Sequence, residues 1–136
     1  IGDSLLDYVS EGEITKKKYY YPKSKKWVMF AKEESSFETY DGFQTHFKDG
    51  DKKYIMGSID GHTYYKNNIE DCYKTKEDIV LELSNMFPNL KPISYSQPHP
   101  IDKTGNSVGK STDFKFKSGD VIRVYCMDWR SSRPSY

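Results

Sequence analysis

The chain has 136 residues, the size of one ordinary domain, and its 21 basic and 20 acidic residues leave a net charge of +1. That balance excludes a globally basic nucleic-acid-binding surface, although not a local patch, and no run of 18 apolar residues offers a membrane-spanning helix. Seven Phe, twelve Tyr and two Trp outnumber Ile, Val and Leu combined, and Ala31 is the single alanine; helices favour Ala and Leu while sheets favour aromatic and β-branched side chains, so a sheet-dominated domain is predicted.

Residues 4–10 (SLLDYVS) predict a short helix with Leu5, Leu6 and Val9 on one side, stopped by Gly12. Residues 16–21 and 27–32 read as the strands of a first hairpin, joined across a turn at 22–25 that contains Pro22. A strand is predicted within 37–48, broken near Asp41-Gly42, and another over 53–59. Asp60-Gly61 then gives the strongest hairpin-turn signal, with residues 62–66 returning.

The main helix is predicted over about 76–87. Thr75 supplies an N-terminal cap, Asp78 sits three residues on, and Ile79, Val80, Leu83, Met86 and Phe87 make one apolar stripe before Pro88 and Asn89. A short strand at 93–95, a long Pro- and Gly-containing loop at 97–111 and strands at 114–117 and 121–127 follow. In the last strand Val121, Arg123 and Tyr125 face one way, and Ile122, Val124 and Cys126 face the core. The fold class is α+β: a single domain over 1–136, mostly antiparallel sheet, with the one main helix packed on one face. The tail from residue 130 is polar.

There are two cysteines, with no CxxC and no His/Cys cluster near them. Cys72 precedes the helix and Cys126 lies in the last strand, so a disulfide between them is predicted, closing a loop of about 55 residues worth about 4 kcal/mol in the chain-entropy model. A disulfide places the chain in an oxidising compartment, and the expected location is secreted and extracellular. The chain begins at Ile1 rather than Met, which removal of a signal peptide explains, with truncation as the alternative.

Motifs that would carry chemistry fail on spacing. Residues 104–111 (TGNSVGKS) resemble a phosphate-binding loop, but only three residues separate Gly105 from Gly109, and a strand rather than a helix follows. His46, His62 and His99 show no metal-ligand spacing, and Asp49, Asp51 and Asp60 with their glycines read as turns rather than a calcium loop. No catalytic residue, cofactor or metal is therefore assigned.

What stands above background is the first hairpin. Residues 16–32 hold seven lysines and no acid, with Tyr19, Tyr20, Tyr21 and Trp27 among them. Tyr and Trp bring large contact area at small entropic cost. The sequence thus predicts a secreted, non-enzymatic binding protein that meets a protein partner or small ligand through a tyrosine-rich face, with Tyr19, Tyr20, Tyr21, Trp27, Tyr64, Tyr65, Lys25 and Lys26 as candidate contacts. The runner-up is a polyanion binder, for a glycosaminoglycan or nucleic acid, using the lysines of 16–32. It is placed second because eight acids between residues 3 and 41 offset those seven lysines and predict a short-ranged field. A small hydrolase with dispersed catalytic residues is third.

Overall fold

A computed structural model describes residues 1–23, 25–33 and 38–130. It is α+β, with two antiparallel sheets, 22% helix and 37% strand. The chain divides into two compact units, residues 1–64 and 65–136.

The first unit opens with a 3-10 turn at Leu5–Asp7 and a helix α1 at Glu11–Lys17. The helix falls where sequence reasoning placed a Gly12 stop and the first turn of a strand. Ser10 accounts for this: its hydroxyl accepts from the Glu13 amide at 3.2 Å, giving the first turn its cap. Lys16 and Lys17 thus end a helix rather than start the hairpin, and the predicted strand at 16–21 shrinks to β1, Lys18–Tyr20. The sheet continues with β2 (Trp27–Glu33), β3 (Gly42–Lys48) and β4 (Ser58–His62), in the order β1-β2-β3-β4. Asp60 and Gly61 are not a hairpin turn but interior residues of β4, paired with Gln44 and Phe43. The Tyr40 ring lies flat over Gly61, about 3.0 Å from where a Cβ would stand, so the glycine serves close approach and not a turn.

Alternation along the strands separates two faces. Val28, Phe30, Thr45 and Phe47 are buried, and Leu5, Val9, Ile14, Tyr54 and Met56 from the turn, helix and loop complete the core with them. Tyr54 occupies the left-handed region (φ 49°), held by edge contact with Phe47 at 5.3 Å and by its hydroxyl, which donates to Glu11 at 3.1 Å. The opposite face carries Trp27, Met29 and His46.

The second unit holds α2 (Ile69–Met86) and the sheet β5 (Ile93–Pro98), β6 (Val108–Lys115) and β7 (Val121–Asp128), in the order β5-β6-β7. The helix starts seven residues before the predicted 76. Asn68 caps it, accepting from the Asp71 amide at 3.2 Å, and Thr75 and Asp78 fall inside it. It packs against β7, yet none of its residues is fully buried. The disulfide joins Cys72 of α2 to Cys126 of β7, with Cα atoms 6.0 Å apart. Phe114 is the fully buried anchor of this unit. On β7, Val121, Arg123 and Tyr125 are exposed and Ile122, Val124 and Cys126 turn inward, the alternation read from the sequence. The predicted loop 97–111 contracts to 99–107, because β5 and β6 pair from Ile93–Asp113 to Pro98–Val108.

Candidate functional site

Antiparallel register puts directly opposed residues on one face. Tyr19 pairs with Met29, Met29 with His46, and His46 with Ser58, so a single row crosses all four strands of the first sheet on the face away from the core. Trp27, paired with Lys48, stands in the neighbouring row. Tyr21, just past the end of β1, closes over both rows. Its ring lies nearly parallel to His46 with centroids 5.8 Å apart, and edge-on to Tyr19 at 5.7 Å.

Between them is a shallow pocket of about 330 Å³ lined by Tyr21, Trp27, His46, Gly57 and Ser58. Gly57 is required by the geometry. A Cβ there would stand 2.8 Å from the Trp27 indole, so only glycine lets the ring settle on the backbone. The polar atoms of the pocket are engaged with one another. The Tyr21 hydroxyl and His46 Nε2 share a hydrogen bond at 2.7 Å, and His46 Nδ1 and the Ser58 hydroxyl share one at 2.8 Å. Burial, with a lesser contribution from the charge of Asp60, raises the Tyr21 phenol above its ordinary value. What opens to solvent is therefore mostly ring surface.

Ser58 beside His46 has the first two members of a catalytic triad. In the Ser-His-Asp arrangement the third is a carboxylate that orients the ring and stabilises the imidazolium. Here the Tyr21 phenol bonds the other ring nitrogen of His46, and this chain of three side chains holds the imidazole in place.

The structure brings Tyr19, Tyr21 and Trp27 together on this face. Tyr20 pairs with Val28 and so lies on the core side, and Tyr64 lies past the end of β4, donating to Glu33 at 3.1 Å beside His62. Tyr65 is half-buried and belongs to the second unit. Lys25 and Lys26 are exposed in the β1–β2 turn, immediately before Trp27. His46 and Ser58 are the site residues that sequence reasoning missed; nothing in local sequence couples positions 21, 46 and 58, which meet only through register.

The histidines are dispersed: His62 bonds Glu33 at 3.0 Å and His99 packs on Trp129 with centroids 4.5 Å apart. Among the described residues no group of three acids, histidines or cysteines could hold a metal.

No protein-family model matches this sequence, and no curated protein or solved structure is significantly similar to it.

Among the described residues of the second unit, buried polar side chains are hydrogen-bonded. Asp113, almost wholly buried, takes both arms of Arg123 at 2.7 and 2.9 Å, which hold its carboxyl below the usual carboxylate range. The Lys76 ammonium donates to the Thr112 hydroxyl at 2.6 Å, which in turn meets the Ser94 hydroxyl at 2.8 Å; burial pushes Lys76 down. Asp102 ties the 99–107 loop by accepting from the Thr104 amide and hydroxyl and the Ser107 amide, at 2.9, 2.6 and 2.8 Å. The stretch that resembled a phosphate loop thus begins as a self-bonded turn and ends as β6.

Charge in the first unit is distributed along the strands. Glu13 is spent on Lys17 and Lys32, at 3.0 and 3.5 Å, and Glu33 on His62. From Trp27 to Glu33, β2 runs about 20 Å, more than two screening lengths at physiological salt. Lys23, Lys25, Lys26 and Lys48 gather at the Trp27 end, and among the described residues none of them is in an ion pair.

Proposed function

We propose that this chain is a secreted, non-enzymatic binding protein that takes its ligand on the outer face of the first sheet, in the pocket of Tyr21, Trp27 and His46. The observation that carries this reading is a concave, ring-lined site in which Tyr21, His46 and Ser58 hydrogen-bond to one another and ring surface stands open. The Cys72–Cys126 bridge supports an oxidising, extracellular location.

Screening a library of small aromatic compounds by thermal shift tests the site. Binders are expected, and their affinity should fall at least about tenfold in Tyr21→Ala, the equivalent of one lost aromatic contact. Binders that tolerate both Tyr21→Ala and Trp27→Ala would place the functional site elsewhere.

A further inference from the structure

We infer that the ligand of this pocket is single-stranded nucleic acid, one base stacked against Tyr21 and Trp27 and the flanking phosphates held by Lys23, Lys25, Lys26 and Lys48. This rests on the pocket being the binding site. Three features point to the ligand class. The first is composition of the lining: rings make up most of it and Tyr21, His46 and Ser58 bond one another, leaving few donors with which to grip the many hydroxyls of a sugar, whereas a base needs only a π-face on which to stack. The second is charge. The four lysines stand at the pocket end of the sheet without ion-pair partners among the described residues, and two of the acids that balance them in the sequence are committed to other cations, Glu13 to Lys17 and Lys32 and Glu33 to His62. The third is continuity. Tyr19 and Tyr21 meet edge-on, giving a second exposed ring beside the pocket, and Tyr19 is 41% exposed. Alternating rings and cations along one edge form the platform-and-groove arrangement that follows a flexible phosphate backbone. Opposing charges at this end are Asp60, which accepts from Gln44 Nε2 at 3.3 Å, and Asp49, whose amide donates to the Lys26 carbonyl at 3.0 Å. Asp51 at the same end accepts from the amides of Lys53 and Ile55 at 2.9 and 3.0 Å and also interacts with the charge of Lys48.

The test is fluorescence anisotropy of a fluorescein-labelled oligothymidylate of about 15 nucleotides, with Trp27 emission followed in a Trp129→Phe background. Binding should quench Trp27. With three or four lysines engaged, log affinity should fall against log salt with a slope of about −2 to −3. Tyr21→Ala should weaken binding about 5- to 150-fold at unchanged salt slope, while Tyr21→Phe, which keeps the ring, should stay near wild type. Lys25→Ser with Lys26→Ser should flatten the slope and leave the residual quench in place. No binding of the oligonucleotide overturns the ligand class. If the aromatic compounds still lose affinity in Tyr21→Ala, the pocket itself stands; if they do not, both readings fall. A heparin oligosaccharide that binds more tightly than the oligonucleotide, with Tyr21→Ala affecting neither, would overturn the inference in favour of a charge-only polyanion site.

Discussion

Replacing both Cys72 and Cys126 by Ala would remove the strongest tether in the second unit without leaving a reactive thiol. The bridge spans 54 residues, for which the chain-entropy model gives about 4 kcal/mol. Two structural facts bear on that figure. Cys126 is 2% exposed, so its loss also perturbs packing at the helix–sheet contact. The helix α2 contributes no fully buried side chain, so little apolar burial substitutes for the bridge in holding it on β7. The expected loss is about 3–5 kcal/mol, which in a unit of this size lowers the melting temperature by about 15–30 °C. Helical circular dichroism during thermal unfolding reads this directly, because α2 is the longest helix. The same loss should follow when the native protein is reduced. A loss below about 1 kcal/mol would refute the reasoning, showing that α2 docks on apolar contacts alone.

Other consequences follow from the packing. Leu83→Ala should cost only about 1–2 kcal/mol, since Leu83 is half-buried, against about 3–5 kcal/mol for Phe114→Ala at a fully buried site; equal losses in denaturant titrations would contradict the burial pattern. Gly57→Ala should displace the Trp27 indole at a cost of about 1–2 kcal/mol and red-shift its emission in the Trp129→Phe background, and an unchanged spectrum would mean that the ring does not rest on Gly57. The hydrogen bonds from Thr104 and Ser107 hold the Asp102 carboxyl far below the usual carboxylate range. Its contribution is therefore fully present above the unfolded value of about 3.9 and is lost as pH falls toward the folded one. Protection of the 99–107 amides relative to their intrinsic exchange rates should fall with acid below about pH 4, and Asp102→Asn should abolish that dependence; protection that stays constant with acid in the native protein would remove Asp102 from its role.

The sequence was most informative where one periodicity acted alone. β7 alternates cleanly, so its inward residues were legible, and the positions of Cys72 and Cys126 beside ordered elements made their bridge legible too. Helix starts were obscured by competing caps. Thr75 and Asp78 looked like a start although Asn68 with Asp71 offered another one turn and more earlier, and the half-buried positions Ile69, Cys72 and Tyr73 extend the stripe back to it. Gly12 masked α1 in the same way, although Ser10 and Glu13 carried its capping signal. Asp60-Gly61 misled because glycine marks close approach as readily as a turn, and Tyr40 supplies that approach. The division into two units has no composition shift to mark it at residues 64 and 65. At the site, Tyr19, Tyr21 and Trp27 could be named from local sequence, but their faces depend on where β1 begins. Once α1 takes Lys16 and Lys17, register sends Tyr20 to the core side and leaves Tyr19 and Tyr21 beside His46.

The most direct measurement is protein-observed NMR of the intact chain during titration with the tightest aromatic binder. The account predicts that the largest shifts fall on the Tyr21, His46, Gly57 and Ser58 amides and the Trp27 indole NH, with Thr112, Asp113 and Arg123 unmoved. Shifts concentrated on the second sheet, or spread without focus over both units, would contradict it.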